Sequence, residues 1–223
     1  MNDFPAVGFL VLSGPVFLSE GWKGPLLSLL CVAVAYLLGN ISPAILIGRL
    51  HGIDIKKEGS GNAGTTNVLR VLGKRAAAET LFVDIGKGGV AVWIGWAAGF
   101  ALMEEPKLLA VWCCVAVFCG HIWPAAFGFR GGKGIATGFG AITAASLYIG
   151  VFIMMIAVAG IALSRRVSVG SICGALALIA VAFYLEPAYA PYFTVMALIA
   201  VWKHRSNIKR LLCGEEPKLS FKK

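Results

Sequence analysis

Long apolar runs, separated by short polar, basic or glycine-rich segments, make up most of this chain. Gly24 to Gly48 is 25 residues without a charge, enough to cross the ~30 Å hydrocarbon core of a bilayer as one helix. Ala76 to Met103 is a second run, carrying Glu79, Asp84 and Lys87; Leu108 to Phe129 is a third, carrying His121. Gly134 to Ser164 is uncharged for 31 residues, and Val167 to Leu185 and Ala188 to Trp202 complete the series. The pattern reads as an all-α, polytopic membrane protein.

Charge placement orients these runs. All but Lys23, Lys87 and Lys107 of the 20 Lys and Arg fall in four segments: 49–75, 130–133, 165–166 and 203–223. The links at Glu104–Lys107 and at Glu186 are acidic or nearly neutral. Cytoplasmic loops collect Lys and Arg, so the four basic segments are expected inside and the other links outside. Gly134 to Ser164 then starts and ends on the same side and must cross an even number of times. At ~1.5 Å per residue it makes two short helices rather than one long one, with a turn near Ser146 to Gly150. The expected total is seven transmembrane helices, with the N-terminal end of the first outside and the C-terminus cytoplasmic. Phe4 to Ser19 is apolar but broken by Gly8, Gly14 and Pro15, and it lacks a basic flank. It reads as an interfacial or extracytoplasmic helix rather than a crossing or a signal peptide. Residues 26–223 read as a single membrane-embedded domain.

Composition agrees: the chain is 58% hydrophobic and 14% charged, against roughly 25% charged in soluble domains. A net charge of +9 would suggest nucleic acid in a soluble protein, but positive-inside loops account for it here, and no nucleic-acid partner is expected. The six cysteines form no C-x-x-C and read as small buried hydrophobes without disulfides. His51, His121 and His204 share no metal-ligand spacing, so no metal is expected.

Three motifs carry candidate chemistry. In Gly59 to Arg70, Gly59, Gly61 and Gly64 alternate with Ser60, Asn62 and Thr65. Such a loop has little side chain to bury but can turn backbone N–H groups toward an anion. Asn67 and Arg70 follow Gly64 at i+3 and i+6 and share a face if a helix starts there. The alternative is an ordinary flexible loop. Arg130-Gly131-Gly132-Lys133-Gly134 precedes an apolar helix whose first turn, including Thr137, offers free N–H groups and the positive dipole end. It is not a nucleotide-binding P-loop, which would need Gly where Phe127 stands and Ser or Thr where Gly134 stands. The alternative is a hinge flanked by snorkelling charges. The third motif, His204 to Glu216, is either a site or a basic tail on anionic lipid. Asp84 and Lys87, i and i+3 in an apolar run, are costly there and serve either function or helix packing. His121 is either a core histidine beside a proline kink or a site residue.

Five motifs in this order resemble the bacterial acyl-phosphate-dependent glycerol-3-phosphate acyltransferases, an integral membrane family. They are S-G-N-x-G-x-x-N-x-x-R (Ser60 to Arg70), D-x-x-K-G (Asp84 to Gly88), G-H-x-x-P (Gly120 to Pro124), G-G-K-G-x-A-T (Gly131 to Thr137) and H-R-x-N-I-x-R-L-x-x-G-x-E (His204 to Glu216). The resemblance spans roughly residues 26–218 and implies that residues 1–25 are an N-terminal extension. It implies a seven-helix inner-membrane protein with a cytoplasmic active site. It implies transfer of a fatty acyl group from acyl phosphate to the 1-hydroxyl of sn-glycerol 3-phosphate. The products are lysophosphatidate and phosphate, the first acylation in phospholipid biosynthesis. It implies no cofactor and a functional link to an enzyme that makes acyl phosphate. Carried onto this chain, the catalytic residues are Ser60, Asn62, Lys133 and His204. The substrate-binding residues are Gly61, Gly64, Asn67, Arg70, Lys87, Gly131, Gly132, Gly134, Thr137, Arg205, Asn207 and Glu216. The two glycine loops are expected to cradle the acyl-phosphate head, with Lys133, Arg70, His204 and Asn207 on glycerol 3-phosphate and Lys87 neutralising developing phosphate charge.

The residues suit that chemistry. Two phosphorylated substrates need two anion sites, and a mixed anhydride needs positioning and charge neutralisation more than a strong nucleophile. No H-x-x-x-x-D occurs, because the fifth position beyond each His is Lys56, Ala126 or Lys209. Two rivals are an organic-phosphate transporter or exchanger and a structural lipid-binding subunit. The one-sided basic motifs and the lack of an internal repeat count against the first; the buried charges and glycine loops count against the second.

Overall fold

A computed structural model describes residues 23–102 and 105–219, and every regular element among them is helical. In chain order these are α1 (Lys23–Asn40), α2 (Pro43–Leu50), α3 (Thr65–Leu72), α4 (Lys74–Leu102), α5 (Pro106–Ile122), α6 (Ile135–Ala145), α7 (Leu147–Ser164), α8 (Val167–Leu185), α9 (Ala190–Lys203) and α10 (Arg205–Leu212). A 3-10 turn, Ala125–Phe127, lies between α5 and α6. The expected interfacial helix at Phe4 to Ser19 lies outside the described residues.

The run expected to form one helix from Gly24 to Gly48 is broken between α1 and α2. Pro43 has no N–H to continue the ladder, and Ser42 before it is extended (φ −108°, ψ 93°). The carbonyls released by the break are matched. Asn40 Nδ2 donates to Tyr36 O at 2.7 Å. Lys87 Nζ, reaching across from α4, donates to Ile41 O at 2.5 Å and Gly39 O at 3.3 Å. An unmatched carbonyl in apolar surroundings would cost several kcal/mol. The helix expected to kink beside His121 instead ends: α5 stops at Ile122, and the chain turns back through Gly128 and Phe129, both left-handed (φ 64° and 59°).

The run from Gly134 to Ser164 divides at Ser146, within the expected interval. Ser146 is extended (φ −152°, ψ 103°) and both ends α6 and begins α7. At 11 residues α6 is ~16 Å long. It is short because it starts partway along α4: it begins beside Gly88 and ends beside Trp96, whose Nε1 donates to Ala144 O at 3.2 Å. Glycine permits that closeness, since a Cβ on Gly88 would lie 2.9 Å from Ala141 N.

Five segments are long and apolar enough to cross a membrane: Gly24–Leu50, Lys74–Leu102, Pro106–Phe127, Leu147–Ser164 and Val167–Leu185. Ile135–Ala145 and Ala190–Lys203 are shorter apolar helices. The core is built on α5, whose Leu109, Val111 and Val117 are fully buried with Phe193 of α9. Phe82, Trp93, Phe100, Tyr148 and Leu163 point outward, an apolar exterior that suits lipid rather than water. The four basic segments meet at one end. Lys133 bonds Asn207, Arg166 Nε donates to Glu216 O at 3.0 Å, and Lys56 Nζ donates to Phe127 O at 3.3 Å. Lys107 and Glu186, from the nearly neutral links, pair with each other at 2.6 Å.

Candidate functional site

The first glycine loop is held from beneath by Asn67. Gly59 and Gly61 are left-handed (φ 58° and 67°), which a side chain resists. That curl brings Ser60 N within 2.8 Å and Ser60 Oγ within 3.1 Å of Asn67 Oδ1, where both donate. Asn67 Nδ2 in turn donates to Ile55 O at 3.1 Å and Glu58 O at 3.0 Å. Asn67 is therefore buried and fully engaged within its own loop, while Arg70 one turn later is exposed. The pair expected to share a binding face divides into a buried brace and an exposed cation. Gly64 precedes the first turn of α3, and the hydroxyl of Thr65 beside it is buried with no hydrogen-bond partner among the described residues. Thr65 belongs to the first motif but carries no role on sequence alone, because only its surroundings distinguish it from Thr66.

The second glycine loop lies on His121. Gly131 N donates to Ile122 O at 3.1 Å and Gly132 N to His121 O at 3.2 Å. Those two N–H groups are taken, so the cradle expected of the glycines narrows to the turn at Gly134 and the start of α6. Gly134 is left-handed (φ 83°), packs over Phe118, and caps α6. Gly132 is where the loops touch: a Cβ there would press on His121 Nε2 and lie 2.7 Å from Ala63 O.

Below this contact sits a closed polar cluster. His121 Nδ1 is 3.0 Å from Lys87 Nζ, 3.0 Å from Thr137 Oγ1 and 3.3 Å from Asp84 Oδ1. Lys87 Nζ is 2.8 Å from Asp84 Oδ1. All four side chains are buried. Lys87 and Thr137, expected to meet substrate, are turned to α1, α4 and α5 instead. This cluster anchors the loop above it through His121.

The third motif supplies the other wall. α9 ends at Lys203 and α10 begins at Arg205, with His204 at the corner (φ −91°, ψ 6°). His204 Nδ1 donates to Ala200 O at 2.8 Å. A carbonyl only accepts, so the proton sits on Nδ1 and Nε2 keeps its lone pair. Burial, with Lys133 adding to it, lowers the His204 pKa to about 4, so the ring is neutral at pH 7. Asn207 links both sides: its Oδ1 accepts from Lys133 Nζ, and its Nδ2 donates to Glu216 Oε1 at 2.7 Å. Arg210 Nε donates to Glu216 Oε2 at 2.7 Å. Burial alone would raise the Glu216 carboxyl, but hydrogen bonds, those of Asn207 and Arg210 among them, outweigh it and hold it below the usual range. Glu216 thus ties the C-terminal segment down. Arg205 is exposed and its guanidinium lies 4.4 Å from the Trp202 ring centroid.

Lys133 is the most perturbed cation of the set. Burial, then the fields of Arg210, Arg70 and Lys203, lowers its pKa to about 8. Glu216 is the acid working the other way. Cations of α3, α9 and α10 therefore lie near enough to Lys133 of the second loop for their fields to act on it, beside a neutral histidine. That arrangement attracts an anion of more than one charge and presents a hydrogen-bond acceptor, His204 Nε2, next to it. Of these cations Arg210 was visible in the third motif but not singled out; its reach to the site depends on the corner at His204.

The chain matches the family model described as Glycerol-3-phosphate acyltransferase over residues 29–214. It is 40% identical over 200 residues to a glycerol-3-phosphate acyltransferase of Clostridioides difficile (strain 630), covering 87% of this chain and 97% of that protein. It is 41% identical over 198 residues to one of Thermoanaerobacter sp. (strain X514), with the same shares. Among solved structures it resembles PlsY (YgiH), an integral membrane glycerol 3-phosphate acyltransferase, in its glycerol 3-phosphate form. That match has TM-score 0.80 and 31% identity, and it covers 86% of this chain and 96% of that one. The lysophosphatidic acid form matches with TM-score 0.77. The chain belongs to the glycerol-3-phosphate acyltransferase family.

Proposed function

We propose that this protein transfers a fatty acyl group from acyl phosphate to the 1-hydroxyl of sn-glycerol 3-phosphate, releasing lysophosphatidate and phosphate. The observation that carries this reading is the junction of Lys133, Asn207, His204 and Arg210 with the two glycine loops, in a chain of this family. Lys133, Arg70 and Arg210 hold the glycerol 3-phosphate dianion, and the loop ends at Ser60, Asn62 and Gly134 face the acyl-phosphate head. Thr65 adds a hydroxyl there. The attacking hydroxyl approaches the acyl carbonyl with His204 Nε2 accepting its hydrogen bond. A ring with pKa about 4 orients this hydroxyl but holds a proton poorly. The departing phosphate, whose second pKa is ~6 to 7, takes the proton instead. The C–O bond to phosphate breaks as the ester C–O bond forms, and no acyl-enzyme is needed. Asn67, Lys87, Thr137 and Glu216 act as positioning residues.

In this reading the chain crosses the bacterial inner membrane seven times, with α6 and α9 as the short spans, the site faces the cytoplasm, and residues 26–223 act as one catalytic unit. The meeting of all four basic segments at one end, and of Lys107 with Glu186 apart from them, supports that sidedness. An acyl-phosphate-producing enzyme must supply the donor.

The test is purified protein in lipid with glycerol 3-phosphate and palmitoyl phosphate, following phosphate and lysophosphatidate together. Equimolar products from palmitoyl phosphate, with palmitoyl-CoA inert, support the reading. Turnover from palmitoyl-CoA alone overturns the donor. No turnover, with glycerol 3-phosphate crossing sealed vesicles, overturns the enzyme in favour of a transporter.

A further inference from the structure

Away from the Lys133–Asn207 junction, a second cationic cavity of ≈ 460 Å³ is lined by Ile45, Arg49, Asp54, Ile55, Lys56 and Phe127, among others. Arg49 and Lys56 lie 5.5 and 5.7 Å from the Phe127 ring centroid. Arg130 is close enough that it and Arg49, after burial, help to lower the Lys56 pKa, while Asp54 raises it. Arg49 and Lys56 thus line the cavity, with Arg130 near Lys56, and a bound anion would relieve their mutual repulsion. The cavity's one lining acid, Asp54, offsets the fall in the Lys56 pKa without reversing it. Asp54 Oδ1 accepts from the Lys56 backbone N–H at 3.1 Å, and Oδ2 faces Lys57 at 3.9 Å. Among the described residues neither Arg49 nor Arg130 forms an ion pair.

A second cavity, of ≈ 420 Å³, lies on α1, α2 and the 3-10 turn, and Phe127 lines both. Its wall is apolar apart from Asn40: Leu37, Ile41, Leu46, Ala125 and Ala126 complete it. Leu37, Ile41 and Leu46 are also exposed on the outer surface, as are Leu50 beside Arg49 and Phe129 beside Arg130. Cationic and apolar cavities thus adjoin where the basic segments leave the apolar exterior. A free phosphate would use only the first; an amphiphile with an anionic head uses both.

We propose that Arg49, Lys56 and Arg130 hold the phosphate of an anionic phospholipid, one of whose acyl chains lies in the adjoining cavity beside Phe127. This lipid is separate from the two substrates. Its head braces Phe127 to Arg130, which leads directly into the Gly131–Gly134 loop, so occupancy steadies Lys133.

Native mass spectrometry of the purified full chain tests this with palmitoyl-oleoyl phosphatidylglycerol against palmitoyl-oleoyl phosphatidylcholine. At roughly 1 kcal/mol per basic residue at a membrane surface, the R49Q/K56Q variant should hold phosphatidylglycerol about 30-fold more weakly. The charge-keeping R49K/K56R variant should stay within about fivefold of wild type. Thermal unfolding checks that both fold. In phosphatidylcholine nanodiscs wild type and R49Q/K56Q should turn over equally, and only wild type should gain when phosphatidylglycerol is added. Equal binding of the two lipids, or unchanged phosphatidylglycerol retention in R49Q/K56Q, overturns the proposal. So does displacement of phosphatidylglycerol by inorganic phosphate at low concentration, which assigns the site to the free anion. A raised KM for palmitoyl phosphate in phosphatidylcholine alone assigns it to substrate and overturns it too. The binding arm holds whether or not the chain is an acyltransferase.

Discussion

Replacing Gly132 by Ala adds one methyl group where the two glycine loops meet. The backbone of Gly132 lies outside the left-handed region, so alanine meets no conformational penalty and the effect is purely steric. The new Cβ would lie 2.7 Å from Ala63 O and press on His121 Nε2. Ordinary van der Waals contact begins at 3.4 Å, so one loop must withdraw by at least about 0.7 Å; a misplacement of ~1 Å costs ~100-fold in rate. His121 yields little, because its ring is pinned to Lys87 and Thr137 at 3.0 Å, so the displacement falls on the loops. The expected result is a 10- to 100-fold fall in kcat/KM, about 1.4–2.7 kcal/mol, with both substrates affected. Initial rates of phosphate release, with each substrate varied in turn, measure it. The matched control is Gly86→Ala, where a Cβ on α4 meets nothing within 4 Å. Removing that helix-interior glycine should stabilise by about 0.5–1 kcal/mol and leave the rate alone. Full activity in Gly132→Ala, with activity lost in Gly86→Ala, would refute the claim that the loop contact positions the site.

Lys133→Met should lower kcat/KM by about 100- to 1,000-fold without unfolding the protein, the range for removing one preorganised charge; unchanged turnover sinks its role. The pKa of Lys133, lowered to about 8, predicts a loss of kcat/KM as pH rises through about 8, because the needed ammonium deprotonates there; Lys133→Arg should move that limb upward, and a flat profile to pH 9 contradicts it. Lys87→Met leaves the Gly39 and Ile41 carbonyls and Asp84 without their cation, so it should destabilise by about 3–5 kcal/mol, read as a lower unfolding temperature. A folded Lys87→Met with normal stability but a raised KM would restore the phosphate-binding role. Glu216→Gln weakens the hold of Arg210 on the C-terminal segment; proteolysis after Leu212 should quicken, and equal cleavage rates would contradict the tie.

Legibility followed the range of the interactions involved. The division at Ser146 could be foreseen because it depends on parity of charge along the chain, a one-dimensional property. The break at Pro43 was signalled locally by the proline, yet an uncharged run of that length also suits a single helix. What made the break tolerable was Lys87, 46 residues away from Ile41. Asn67 shows the same limit on a smaller scale. Its place in a glycine-rich motif suggested a substrate contact, but the curl at Gly59 and Gly61 folds the loop back onto its amide.

By itself the sequence determined the kind of solvent this chain faces, the segments that lie in it, the end where positive charge gathers, and the family. Those follow from hydrophobic length, charge placement and motif order, which need no partner to be defined. The tertiary structure decided which of the many polar groups the fold itself uses. Lys87, Asn67 and the Gly131 and Gly132 N–H groups are taken by acceptors within the fold, whereas Arg70 is exposed and the Thr65 hydroxyl has no hydrogen-bond partner among the described residues. A polar group's availability depends on what folding brings against it, and in apolar surroundings an unmatched polar group is costly. Packing therefore assigned most of them.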